Sequence, residues 1–254
     1  MSINPPKSKE LTLPVQCYAR GKGSTIYKMR YWDGGYGLDT KKLFEQHIRL
    51  YPKKMKPWLK TVIKYESNRY GFRCSDPLTD KFKGPKYMAV GCSRTYGVGI
   101  PAKQSWPERL GEMLPGKMYN MGVGGGSLET CYRLVKWWIS LIKPNAVFML
   151  VPANWRRELI MNNGRNIDQI SEGHFLANTL KKVGTGLSDN LHQECITDAI
   201  HYNCEMLGAK LFVLTQNWGN DQADLARDLV HPGPIQHKIW ADRFYHKTPK
   251  SLKT

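Results

Sequence analysis

The chain has 254 residues, 41% of them hydrophobic and 11% aromatic, and carries a formal net charge of +17. That length supports one substantial core plus an extension, because single cores grow to about 250 residues before chains split, and the composition excludes a disordered polymer. No apolar run approaches the roughly 18 residues that read as a membrane-spanning helix, which excludes that class.

Met1–Pro14 lacks the apolar stretch of a signal peptide. The expectation is a soluble protein made in the cytoplasm, a pattern that also fits a phage-encoded protein released by lysis. Cys17, Cys74, Cys92, Cys131, Cys195 and Cys204 form no CxxC pair, which predicts scattered thiols with neither disulfides nor cysteine-bound zinc. Charge is uneven: residues 1–86 hold 19 Lys and Arg against 7 Asp and Glu. A basic N-terminal third can attract a polyanion, such as nucleic acid or an acidic polysaccharide, or serve as a solvated surface.

In chain order, residues 1–37 are rich in Gly, Pro and Lys and read as an arm, with a small hairpin around Gly21–Gly23 between β-prone stretches 11–18 and 25–31. From Asp39 the spacing of Leu43, Phe44, His47, Ile48 and Tyr51 predicts a helix. Trp58, Leu59, Val62, Ile63 and Tyr65 predict a second one after Pro57. A boundary is placed here, with 1–67 as arm and short helices and 68–250 as the main domain.

The main domain alternates strand and helix signals. Strands are predicted at 87–90, 118–121, 146–151 and 210–215, and helices at 106–114, 128–142, up to about 207, and after Pro234. Leu134, Trp137, Trp138 and Leu141 are assigned to the inner face of the 128–142 helix, and Ile235, Ile239, Trp240 and Phe244 to that of the last. Residues to about 171 read as a polar, Gly- and Asn-rich stretch. The order predicts an α/β fold, a three-layer α/β/α sandwich around a central parallel sheet, with ligands beyond the carboxyl ends of the strands.

Those strand ends carry Gly91-Cys92-Ser93, the glycines 122–126, Asn154, and Asp228 to His231. They supply a hydroxyl, flexible backbone amides, a side-chain amide, and a carboxylate beside an imidazole, which are the parts of acyl transfer.

Four segments then resemble the blocks of the SGNH/GDSL hydrolases: Gly91-Cys-Ser93-Arg-Thr95-Tyr-Gly97, Asn120-Met-Gly122-Val-Gly124-Gly125, Pro152-Ala-Asn154 and Asp228-Leu-Val-His231-Pro232. Asn68-Arg-Tyr-Gly71-Phe72-Arg73 resembles a segment often found before the first block. The likeness implies a flavodoxin-like fold and a catalytic set of Ser93 as nucleophile, His231 as base and Asp228 as its orienting carboxylate, one helical turn away. It also implies an oxyanion hole from the Ser93 N–H, the Asn154 side chain and a glycine N–H. Spacing from Asn120 favours Gly125 for the last, with Gly122 and Gly124 left open.

Two positions depart from the pattern. Cys92 stands where the family usually has Asp, and Trp155 follows Asn154 where Asp is common. Cys92 as the nucleophile is disfavoured, since strand alternation turns it away from the side Ser93 faces. Arg94, Trp155 and Arg156 are assigned to substrate binding, and the 155–190 insertion to specificity.

No cofactor or metal is inferred. The expected reaction is hydrolysis of a small acyl ester, such as acetyl on a carbohydrate, with Trp137, Trp138, Trp155 and Trp218 as stacking surfaces. The competing expectation is a polyanion-binding or structural protein working through the basic N-terminal third.

Overall fold

The structure is a computed structural model and describes residues 37–161, 166–170, 186–216 and 222–254, with Cys17, Ala19, His174, Leu176 and Thr179. The arm's two β-prone stretches and its Gly21–Gly23 hairpin, apart from Cys17, lie outside the described residues, as does Trp218.

Four strands, β1 (Lys86–Gly91), β2 (Lys117–Asn120), β3 (Ala146–Leu150) and β6 (Lys210–Leu214), form one parallel sheet in the order β2-β1-β3-β6. Alternate side chains leave each strand on opposite faces, so two apolar layers are required. Met88, Val90, Val147 and Met149 pack on one side with Cys131, Leu134, Trp138, Ile200 and Cys204. These belong to α5 (Leu128–Ile142) and α6 (Gly186–Met206). Tyr87, Ala89, Phe148 and Leu150 pack on the other side with Trp106, Leu110, Trp240 and Phe244. Those come from α4 (Trp106–Met113) and α7 (Pro234–Lys247). The expected three-layer α/β/α sandwich is what these residues build.

The helix assignments hold in extent but not in every face. Trp137 and Leu141 are 38% and 40% exposed, because the inner stripe of α5 runs instead through Leu128, Cys131, Val135, Ile139 and Ile142, and Ile235 is 57% exposed at the start of α7, whose buried face is Gln236, His237, Trp240, Ala241 and Phe244. Trp138 is fully buried, edge-on to Tyr70 and Phe72, with Nε1 donating to the Cys17 carbonyl. It is therefore a core residue and not a stacking surface.

Before the sheet come α1 (Lys41–Leu50), capped by the Thr40 hydroxyl, and the short α2 (Pro52–Met55), which tightens into a 3₁₀ turn at Lys56–Trp58. The second helix expected after Pro57 does not form: the helical turn ends at Trp58. The β-branched run Thr61-Val62-Ile63 lies in no helix, and burial alternates along it, with Val62 exposed, Ile63 buried, Lys64 exposed and Tyr65 buried. Phe44, Met55, Trp58, Ile63 and Tyr65 pack on Tyr96, Val98, Ile100 and Ala226 of the main domain.

The stretch after Asn154 holds an antiparallel pair that sequence reading missed, β4 (Arg157–Met161) and β5 (Asn166–Ile170). It docks on α5 through Glu158, which accepts from Arg133 Nε at 2.6 Å, from Arg133 Nη2 at 2.9 Å and from the Thr130 hydroxyl at 2.7 Å. Among the described residues no helix is long and apolar enough to cross a membrane.

Candidate active site

In a parallel sheet the carboxyl ends of all strands lie along one edge, and the chain leaves there after Gly91, Asn120, Leu150 and Leu214. The first exit is a tight turn. Gly91 has φ +153°, and a Cβ there would lie 2.1 Å from Thr95 Oγ1 and 2.8 Å from the Leu150 carbonyl oxygen. Only glycine fits. Cys92 then accepts the N–H groups of Thr95 and Tyr96, opening the four-residue helix α3 (Ser93–Tyr96), which Gly97 ends in the left-handed region. Ser93 is its first residue.

Two side chains hold this turn from outside. Asn120 donates Nδ2 to the Thr95 carbonyl at 3.0 Å and accepts the Gly122 N–H at 3.1 Å, tying the glycine loop to the Ser93 turn. Arg73 donates to the Gly97 carbonyl at 2.7 Å, the Lys64 carbonyl at 2.7 Å and the Ile100 carbonyl at 3.1 Å. In the sequence Arg73 stands out only through the resemblance of its segment, and its stapling role has no short-range signal there.

The last strand leads to the loop carrying Asp228 and His231. The Asp224 carboxylate accepts the N–H groups of Ile235 and Gln236, capping α7, and Leu225 bridges to Pro232. Leu229 takes φ +57°, so Asp228 and His231 are brought together by an irregular loop and not by the helical turn that their spacing suggests. Asp228 Oδ1 accepts the backbone N–H groups of Val230 and His231 at 3.1 and 2.9 Å. Its Oδ2 meets His231 Nδ1 at 2.5 Å. His231 Nε2 lies 2.9 Å from Ser93 Oγ. Three residues from two strand ends, 138 positions apart in sequence at the widest, are thus hydrogen-bonded in line.

Burial of the Asp228 carboxyl acts to raise its pKa, yet the His231 hydrogen bond and charge, with the two backbone donors, hold it below the ordinary carboxylate value. It is an anion with no exposed side-chain surface, while the imidazole beside it keeps 16% exposure. Cys92, the alternative nucleophile, is fully buried. Burial first, then the nearby Cys92, pushes the Cys131 thiol far up. It is Ser93 that faces His231.

The remaining assigned residues are placed as follows. Gly125 has φ +76°, and Gly126 gives its N–H to the Val123 carbonyl. Asn154 follows β3 and borders a small cavity of about 160 Å³ with Val151, Pro152, Gln193, Thr215 and Gln216. Arg94 is buried and donates to Gln216 Oε1 at 2.8 Å; Gln216 in turn donates to the Val151 carbonyl. Arg94 is therefore a strut between strand ends and not an exposed cation. Arg156 is buried with its guanidinium 5.7 Å from the centre of the Trp155 ring. Arg157 reaches Glu129 and Asp189. Among the described residues no three His, Cys, Asp or Glu side chains converge as a metal site requires.

A parallel α/β/α sheet with Ser93 after β1, the glycine loop after β2, Asn154 after β3 and Asp228–His231 after β6 is what the four-block resemblance implied. No family model and no curated protein matches the chain. Among solved structures, a protein assigned to the G-D-S-L lipolytic family of Desulfitobacterium hafniense is 13% identical, with 65% of this chain and 99% of that one covered at a TM-score of 0.44. TesA is 12% identical, with 63% and 96% covered at 0.43. A psychrotrophic esterase, EstA, of a Pseudoalteromonas species is 16% identical, with 67% and 100% covered at 0.37.

Proposed function

We propose that the chain is a serine hydrolase of the SGNH/GDSL type that cleaves carboxylic esters through an acyl-enzyme on Ser93. The observation that carries this reading is the continuous hydrogen-bonded line from Ser93 Oγ through His231 to the buried Asp228 carboxylate. A serine hydroxyl is a weak nucleophile until a base takes its proton; His231 Nε2 is within reach to do so, and Asp228 orients and stabilises the imidazolium that forms. His231 then returns the proton to the leaving alcohol, and water activated by the same imidazole releases the acid.

The tetrahedral intermediate needs donors aimed at its oxyanion. The Ser93 N–H, the Asn154 side chain and the Gly125 N–H fill that role in this reading. Gly122 is the weaker choice because its N–H is already given to Asn120. Replacing Asn154 with alanine is expected to lower kcat by about 100- to 1000-fold with KM little changed. Unchanged kcat would remove Asn154 from the hole.

The substrate proposed is a small acyl ester, such as acetyl, on a carbohydrate. The cavity beside Asn154 is compatible in size with a short acyl chain, as its volume of about 160 Å³ is below the usual range for sites that enclose larger ligands. Rates on p-nitrophenyl acetate, butyrate and octanoate, followed by acetate release from acetylated oligosaccharides, test it. Preference for octanoate would reject the small-acyl assignment while leaving ester hydrolysis intact.

A second reading, polyanion binding, draws on the exposed cations Lys41, Lys42, Arg49, Lys53, Lys54 and Lys56 on α1, α2 and the turn after them. It predicts heparin binding that weakens steeply with salt and persists in Ser93→Ala. Binding that is absent at low salt would reject it.

A further inference from the structure

Apart from the single Leu225–Pro232 bridge, the loop bearing Asp228 and His231 is irregular, with Leu229 at φ +57°. Such a loop needs support from its surroundings to keep an imidazole in line with a hydroxyl. That support reaches it one residue before Asp228. Arg227 carries its side chain into a buried cluster supplied by the N-terminal segment, where Nε donates to Asp39 Oδ1 at 2.8 Å and Nη2 to Asp39 Oδ2 at 2.7 Å. The Tyr65 hydroxyl donates to the same Oδ2 and accepts the Gly99 N–H at 2.9 Å. The Gly99 carbonyl accepts the backbone N–H of Arg227 at 3.0 Å.

These contacts close a ring: Arg227 backbone, Gly99, Tyr65, Asp39, Arg227 guanidinium. Asp39, Tyr65 and Arg227 are each at most 3% exposed, and the guanidinium lies 5.3 Å from the centre of the Phe44 ring of α1. The backbones are in close apposition as well. Gly99 has φ +78°, and a Cβ there would lie 2.7 Å from Ala226 Cβ and 3.3 Å from Asp228 Oδ1.

We infer that this ring is a positioning device, in which Asp39 and Tyr65 hold Arg227 at both its backbone and its side chain so that Asp228 Oδ2 meets His231 Nδ1. The inference rests on the reading of Asp228 and His231 as the base pair of a serine hydrolase. A buried bidentate ion pair is a poor source of net stability, since desolvating both charges offsets their attraction, but it fixes geometry closely. Asp39 and Tyr65 lie outside the four motif blocks. The N-terminal segment is on this account part of the machinery that aligns the site.

The test compares Tyr65→Phe, Asp39→Asn and the paired Asp39→Leu/Arg227→Met with wild type. The pair removes both buried charges together, so it is expected to fold even where Asp39→Asn alone strands an unpaired guanidinium. Two properties are read: ester hydrolysis, and the downfield proton resonance of the His231 Nδ1–H held by Asp228. The expected result for the folded pair is a kcat about 30- to 100-fold lower with KM within about twofold, and a resonance that is weakened or lost. Tyr65→Phe is expected to show the same pattern to a smaller degree. A folded pair with wild-type kcat and an intact resonance would overturn the inference and leave the ring a structural tie. The resonance requires no turnover. If the wild type hydrolyses no ester, the hydrolase reading fails by itself, and loss or retention of the resonance in the pair still decides whether the ring positions Asp228.

Discussion

Ser93→Ala is expected to lower kcat/KM on an activated ester by about 10⁴-fold or more while the protein stays folded. In the proposed mechanism the loss is large because the hydroxyl is the attacking atom: with Oγ gone, only the proposed oxyanion donors and substrate binding would remain to accelerate attack by water. The protein should tolerate the change. Ser93 is the first residue of a short helix and its hydroxyl bonds His231 alone among the described contacts, so removing one oxygen should change stability by less than about 1 kcal/mol. Steady-state hydrolysis beside a thermal unfolding curve measures both. A folded variant within tenfold of wild type would place the nucleophile elsewhere.

Asp228→Asn is the second large effect, with an expected loss of about 10⁴-fold in kcat. Asp228 accepts three hydrogen bonds, two from backbone N–H groups and one at His231 Nδ1. An amide keeps the shape but can turn its NH₂ towards Nδ1. That forces the proton to Nε2, the position that must be bare to accept from Ser93. The same carboxylate links stability to pH. Its folded pKa lies below the ordinary value, so its contribution is present above the unfolded value of about 3.9 and is lost as pH falls through the folded one. Acid titration of Tm should therefore be steeper for wild type than for Asp228→Asn below about pH 4. Parallel curves would contradict the pairing.

The sheet was legible in the sequence because its strands are short, largely apolar runs, with helices between them whose buried stripes are mostly apolar. Faces were less so. Trp137 and Leu141 are as apolar as any core residue, yet α5 turns them to solvent, and only the packing of the sheet decides which stripe is inner. The β4–β5 hairpin was missed although Asn163-Gly164 between Leu159-Ile160 and Ile167 is a turn signal in sequence. Its docking depends on Glu158 finding Arg133, a pairing that spans 25 residues.

Ser93, Asn154, Asp228 and His231 could be picked out because each follows a strand and carries reactive chemistry. The placement of Arg94 could not be read from its neighbours alone. A cation beside a nucleophile reads as a substrate contact, and only the structure shows it bonded to Gln216, 122 positions away. Asp39 and Tyr65 lay beyond reach for the same reason: Asp39 meets Arg227 across 188 positions. Residues proposed for chemistry have recognisable types and places, whereas those proposed to hold them are ordinary polar side chains defined by long-range contacts.

Ser93 is proposed to be an activated nucleophile. The most direct measurement is covalent labelling with a fluorophosphonate, followed by mass spectrometry of the intact protein and its peptides. One phosphonyl adduct per chain is expected, on the peptide containing Ser93, absent in Ser93→Ala and strongly slowed in His231→Ala. No adduct on the folded wild-type protein, or an adduct that persists in Ser93→Ala, would contradict the proposal.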